Sequence, residues 1–390
     1  MSNRSRRIAN LIAEGRVAWL VPLASLGLSI IGIIAIDTAL AGDTGISRSA
    51  LKQIMFLVVG LLAAVAIASV HYRAVGQASR FLYLLGLGVL AFLITPGVPT
   101  ALVRSRNGAR SWIDLGPIDI QPSELVKIFF VLALAYSLRF TSSHRTFRGL
   151  IIPGLITFVP VALITLQPDL GTAALFIPAL FAVLIAAGAK LRHMAIIVLA
   201  AALAGPASFP ILKPHQQARI VGLVKQFQGD TSADQDVNFQ ARTAQTLIGA
   251  GGATGSGADR SRVLLKFNAL PEADNDMVFS VIVNRWGFFG GVLVMGLYFL
   301  WIAAAFVTAA ATREPLGRLT IVGLSAFVAA QAFINIGMNL GVVPIIGITL
   351  PFVSAGGSSM ISLWIGVGLI VSIAVRRPIS PARHSFEYNE

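Results

Sequence analysis

Asp276 stands in Pro271-Glu272-Ala273-Asp274-Asn275-Asp276-Met277-Val278-Phe279, where a long polar stretch gives way to a very apolar one. A carboxylate at such a border is partly desolvated yet within reach of a substrate arriving from lipid, which suits a general base. Glu124 and Lys127 form a second constellation. Three residues apart, they share one helix face, and Lys127 lies one turn into an apolar run, where an ammonium is expensive unless paired. That pair reads equally well as functional and as structural. Pro122 and Ser123 resemble a helix start, with Ser123 as N-cap and Glu124 in the first turn. Asp169, in Gln167-Pro168-Asp169-Leu170-Gly171-Thr172, reads first as turn and cap chemistry.

The longest polar stretch, 212–276, carries Lys213, Arg219, Lys225 and Arg242, cations of the kind that bind phosphates, although most such side chains snorkel to head groups. Its Ile220, Leu223, Val224 and Phe227 recur at helical spacing and predict an amphipathic helix lying on a membrane surface. The run Gly249–Gly257 lacks the Gly-Lys-Ser/Thr ending of a nucleotide loop, and a hinge is preferred over a diphosphate cradle. The five histidines show no zinc-ligand spacing, and the absence of cysteine excludes disulfides and thiolate chemistry.

The elements that must position these groups are membrane helices. The 390 residues are 56% hydrophobic and only 12% charged, about half the charge of a soluble domain. The expected fold is an all-α integral membrane protein of about ten transmembrane helices. Their cores lie near 18–36, 53–70, 81–97, 124–138, 149–166, 170–188, 194–211, 277–309, 319–340 and 358–375. The eighth is too long for one straight span and carries Gly287, Gly290 and Gly291, so a kink or a protruding first turn is expected there. Residues 1–17 are expected to be a basic cytoplasmic tail rather than a cleaved leader, 18–375 a single membrane domain, and 376–390 a second cytoplasmic tail. With both termini inside, sixteen of the 30 basic residues and four of the 17 acids face the cytoplasm. The net charge of +13 is then membrane topology rather than a nucleic-acid patch. The polar loops, including the large one between spans 7 and 8, gather on the extracytoplasmic side. The uncharged, Pro- and Gly-broken segment 341–357 is expected to pack as a loop bordering a cavity.

Five segments together resemble the SEDS family of shape, elongation, division and sporulation proteins, which includes RodA and FtsW. They are Trp112-Ile113-x-Leu115-Gly116 with Gln121-Pro122-Ser123-Glu124-x-x-Lys127; Gln167 to Thr172; Gly251-Gly252-x-x-Gly255-x-Gly257; Leu270-Pro271-Glu272 with Asp276; and Leu350-Pro351-Phe352-Val353-Ser354-x-Gly356-Gly357-Ser358-Ser359. The short tails and Val343-Pro344-Ile345-Ile346-Gly347 look closer to RodA than to FtsW. The resemblance implies a multi-pass protein of the bacterial cytoplasmic membrane that polymerises peptidoglycan glycan from lipid II at the outer leaflet. It would release a polyprenyl diphosphate and work beside a class B penicillin-binding protein.

Asp276 falls on the family's essential aspartate, as base or as ligand of a divalent cation such as Mg or Mn. Lys127, Glu124, Arg110, Trp112, Arg219 and Arg242 are expected around substrate and diphosphate, supported by Gln121, Ser123, Asp169, Glu272, Asp274, Ser354 and Ser358. Three departures stand out. Ala273-Asp274-Asn275-Asp276-Met277 replaces the family's x-His-Thr-Asp-Phe, Asn284-Arg285 replaces a Glu-Glu pair, and Ala355 replaces an aromatic residue. The rival readings are a lipid-linked oligosaccharide flippase, an O-antigen polymerase or ligase, and a catalytically degenerate scaffold for the penicillin-binding protein.

Overall fold

In hydrocarbon every backbone polar group needs an internal partner, so an apolar run has one local solution, the helix. The structure, a computed structural model, describes residues 15–40, 45–95, 98, 102–106, 109–116, 119–141, 143–209, 214–228 and 238–376. Lys213, most of the two tails and the side chain of Arg219 lie outside the described residues. The helices are α1 (Leu20–Leu40), α2 (Arg48–Ser69), α3 (Tyr72–Ile94), α4 (Pro122–Leu138), α5 (Ile151–Leu166), α6 (Leu170–Ala174), α7 (Phe176–Ala187), α8 (Leu191–Ser208), α9 (Pro214–Phe227), α10 (Phe239–Gly251), α11 (Ala258–Asn268), α12 (Val278–Ala311), α13 (Pro315–Asn339) and α14 (Gly357–Arg376).

All ten expected apolar segments are helical. Among the described residues, eight spans are long and apolar enough to cross a membrane, α6 and α7 counting as one. The other two are α4, at 17 residues, and α8, whose apolar part is Leu191–Ala200. The fold is the all-α membrane bundle expected, with one small addition in a loop. A three-stranded antiparallel sheet, β1 (Val103–Arg106), β2 (Ala109–Asp114) and β3 (Asp119–Ile120), fills the loop before α4. It pairs Val103 with Ile113, and Ile113 with Ile120. The surface helix expected around Ile220 is α9, with Ile220 and Val224 exposed.

Of the eight long spans, α13 and α14 are the most buried, and α4 is buried along most of its length. Phe130 of α4, Phe176 of α7 and Phe327 of α13 form an aromatic centre with ring centroids 5.0–6.0 Å apart. α14 lies along α2 where Gly60 meets the Trp364 ring and Gly368 meets the backbone at Ala64, the close approach that small residues permit in lipid.

α12 breaks at Gly287 (φ 71°, ψ −166°), as the glycines foretold. The break is closed by the glycine-rich run. Ser256 N–H donates to the Asn284 carbonyl at 2.8 Å and Gly257 N–H to that of Arg285 at 3.1 Å, while Phe288 N–H donates to Gly252 O at 2.8 Å. The expected hinge is therefore a splice. Its amides go to carbonyls that the helix break leaves open, rather than to a diphosphate.

Candidate active site

The segment before α12 is shaped by its own backbone. Glu272 sits in the left-handed region at φ 52°, and its carbonyl accepts from both Asn275 N–H and Met277 N–H at 3.1 Å. That turn delivers Asp276, 7% exposed, to the start of α12. Two amides of α13 then hold its main chain: Asn335 Nδ2 and Asn339 Nδ2 each donate to the Asp276 carbonyl at 2.8 Å. Asn335 Nδ2 also donates to Ile348 O at 2.6 Å, and Asn339 Oδ1 accepts from Ser280 N–H at 3.1 Å.

From the other side the packed loop 341–356 grips the same segment. The Ser354 hydroxyl donates to the Asn275 carbonyl. Ala355 N–H donates to Asp274 O at 2.8 Å. Gln53 of α2 donates to Ser354 O at 2.9 Å and accepts from Gly356 N–H at 3.2 Å. At position 355 the contact is made by the backbone, so this interaction survives the loss of the family's aromatic residue.

Glu124 and Lys127, each 5% exposed, are joined at 2.9 Å. Lys127 Nζ also donates to Gln331 Oε1 at 3.2 Å, and the Ser362 hydroxyl donates to Glu124 at 3.3 Å. Gln331 Nε2 in turn donates to Thr349 O at 3.0 Å. The pair faces a cavity of about 30 Å³ whose walls include Trp301, Phe327, Gln331 and Ser362. A buried ion pair with its remaining valences satisfied is the form in which such charges persist.

Asp169 is the N-cap of α6, accepting from Thr172 N–H at 3.0 Å, as its sequence context suggested. It also accepts from Gln121 Nε2 at 3.2 Å. Burial pushes its carboxyl above the usual range, with the Thr172 amide opposing and the Glu124 charge adding. Gln121 N–H donates to the Ser358 hydroxyl at 2.9 Å, which donates to Asp119 O at 3.0 Å, tying β3, α4 and α14 together. Burial also raises the Asp274 carboxyl, helped by the charge of exposed Glu272.

Ser123 is a correction. The N-cap of α4 is Gln121, without a side-chain cap bond, and Ser123 lies inside the first turn, 1% exposed. Pro122 is the cause: proline prefers the first helical position, which puts the cap at Gln121, two residues before Ser123.

The structure thus gathers Gln121, Glu124, Lys127, Asp169 and Ser358 into one network, and Asp274, Asp276 and Ser354 into another. Arg110 and Trp112 stand half-buried on β2, and Arg242 half-buried on α10. The residues that sequence reasoning missed are Gln331, Asn335 and Asn339. Their signal was available: three amides at i, i+4, i+8 in a span that is otherwise almost entirely apolar.

Fold and site define a multi-pass membrane protein whose buried acids, ammonium and amides collect at one end of its helical bundle. A family model described as cell cycle protein, covering FtsW, RodA and SpoVE, matches residues 17–378. A probable peptidoglycan glycosyltransferase FtsW of Nitrosococcus halophilus is 32% identical over 83% of this chain and 81% of that protein. Stage V sporulation protein E of Bacillus subtilis is 31% identical, covering 91% and 96%. Among solved structures, one described as structural coordination of polymerization and crosslinking by a peptidoglycan synthase complex matches with TM-score 0.78 and 31% identity. It covers 92% of this chain and 97% of that one. The crystal structure of RodA from Thermus thermophilus matches with TM-score 0.67 and 28% identity, at the same coverage. The chain belongs to the FtsW/RodA/SpoVE family, the one its motifs resemble. Relatives of both the FtsW and RodA kinds match at similar identity, so identity does not assign the chain to the RodA branch.

Proposed function

We propose that the chain is a peptidoglycan glycosyltransferase that polymerises glycan from lipid II at the outer leaflet of the bacterial cytoplasmic membrane, beside a class B penicillin-binding protein. The observation that carries this is Asp276: a buried carboxylate at the polar end of the bundle, its backbone held by two α13 amides. The same helix holds the buried Lys127 ammonium through Gln331. A similar chain forms part of a peptidoglycan synthase complex, which supports the partner.

In the reaction, a sugar hydroxyl of the acceptor attacks the anomeric carbon of the donor. The new C–O bond forms as the bond from that carbon to the diphosphate oxygen breaks, and the electron pair leaves with the polyprenyl diphosphate. Asp276 takes the hydroxyl proton, a role worth about 10²–10⁴-fold in rate. Lys127, with Arg110, Arg242 and Arg219 nearer the loops, counters the charge that grows on the leaving group.

A divalent cation, Mg or Mn, would neutralise diphosphate charge when bound. Among the described residues no three His, Cys, Asp or Glu are grouped as a metal cage. Asp276 would hold such a cation, and the diphosphate of the substrate would supply further oxygens.

The test is polymerisation of purified lipid II by the purified chain, alone and with its class B partner, with Asp276→Ala as control. Glycan strands made by the wild type should fall at least about 100-fold in the variant. Strands undiminished in Asp276→Ala would remove the base assignment. Lipid II scrambling across vesicles without any glycan would favour a flippase instead.

A further inference from the structure

Gln331, Asn335 and Asn339 lie on one face of α13, one turn apart, and each spends its amide on the site. Gln331 holds Lys127 Nζ at 3.2 Å and Thr349 O at 3.0 Å. Asn335 holds the next carbonyl of that same loop, Ile348 O, at 2.6 Å and the Asp276 carbonyl at 2.8 Å. Asn339 holds the Asp276 carbonyl at 2.8 Å and fixes the start of α12 through Ser280 N–H at 3.1 Å. Asn335 and Asn339 are 0% exposed and Gln331 is 2% exposed. A span normally shuns such groups, because a buried amide without partners costs free energy. Here almost every one of those valences is directed at the base, at the ion pair or at the loop between them.

We propose that this amide ladder positions the reaction: Asn335 and Asn339 are positioning residues that set where Asp276 stands relative to Lys127, and Gln331 fixes the other end of that distance. The inference rests on the proposed glycosyltransferase activity. The physical reason is short. Asp276 precedes the first turn of α12, so its side chain is only as well placed as its own carbonyl, and that carbonyl has two donors from one rigid helix. Displacing a base by about 1 Å costs on the order of 100-fold in rate. Lys127 of α4 is held by Gln331, two turns from Asn339 on that same helix, so base and ammonium share one ruler. Neither asparagine touches the reacting atoms in this scheme, and substrate affinity should be nearly unchanged by their loss.

The experiment measures kcat and KM for fluorescent lipid II with the purified full-length chain and its class B partner. The variants are Asn335→Asp, Asn335→Ala, Asn339→Ala and the double Asn335→Ala/Asn339→Ala, and thermal unfolding is recorded for each. Asn335→Asp keeps the shape and deletes the donor, setting an acceptor against two carbonyls. It should lower kcat on the order of 100-fold with KM within about threefold. Asn339→Ala leaves one donor on the carbonyl and should lower kcat about tenfold. The double should fall by more than the product of the two single alanine effects, because the two donors serve one oxygen. Should Asn335→Asp not accumulate as folded protein, Asn339→Ala decides alone.

A kcat within twofold of wild type in folded Asn339→Ala, or a loss seen in KM rather than kcat, overturns the ladder. The two readings fail differently. A wild type without polymerase activity, or an Asp276→Ala variant with full activity, sinks the proposed function. Active wild type and dead Asp276→Ala with unaltered asparagine variants sinks only the positioning role.

Discussion

Lys127 and Glu124 raise the question of what a buried charge is for. Removing one partner leaves the other ionised in a space about 5% exposed, and breaking a buried pair this way costs about 3–5 kcal/mol. Lys127→Met should therefore unfold at a much lower temperature, and its loss of activity alone would say nothing about chemistry. Replacing both, as Glu124→Leu/Lys127→Met, removes the stranded charge and should recover most of the melting temperature. If Lys127 counters the leaving diphosphate, the stable double variant stays at least about tenfold slower than wild type in lipid II polymerisation. A double variant that is both stable and fully active would mark the pair as purely structural. These two residues were legible in the sequence because a charge inside an apolar run is conspicuous. Asn335 and Asn339 carry no charge, and helical periodicity does not say that their face meets Asp276. Ser123 misled because the spacing suits a cap, while Pro122 one residue earlier takes precedence in fixing where the helix begins.

Among the elements, α12 shows how a span and a loop share one structure. Gly287 leaves helical geometry at φ 71°, and a Cβ there would overlap Ala253 O and Gly255 N. Gly255, at φ 90°, would put its own Cβ into Arg285 O. Left-handed strain alone costs about 1–3 kcal/mol in a residue other than glycine, and the overlaps add to it. Gly287→Ala and Gly255→Ala should each lower the unfolding temperature by several degrees. They should also slow polymerisation, because the half of α12 before the break is the half that follows Asp276. A Gly287→Ala protein that melts with the wild type would mean that the break is incidental. The glycines of α12 announced a kink in the sequence. What they could not announce is its partner: Gly249–Gly257 has the composition of a hinge, and only tertiary hydrogen bonding to Asn284, Arg285 and Phe288 makes it rigid. The sheet before α4 was hidden for a similar reason, since a few short half-covered strands leave too little periodicity to be distinguished from a loop.

The whole molecule has two unlike ends. One gathers Asp276, the Glu124–Lys127 pair, Asp169 and the glycine splice. The other carries Arg73 paired with Glu314 at 3.0 Å and Arg376 donating to Ala68 O and Ser69 O at 2.6 Å, which closes the last turn of α2. The function proposed above requires the first end to face outside, the side that the charge asymmetry of the sequence favours, because a lipid-linked sugar presented at the outer leaflet would meet the site only there. The chain has no cysteine, so single thiols can report the side directly. Glu272 and Arg313 are both exposed, at opposite ends of the bundle. Glu272→Cys should react with a membrane-impermeant maleimide in intact cells, and Arg313→Cys only after the membrane is opened. Both variants must keep lipid II polymerisation for the labelling to count. The converse pattern would place Asp276 in the cytoplasm, where an outer-leaflet donor cannot reach it, and the proposed reaction would then lose its substrate even with every hydrogen bond of the site intact.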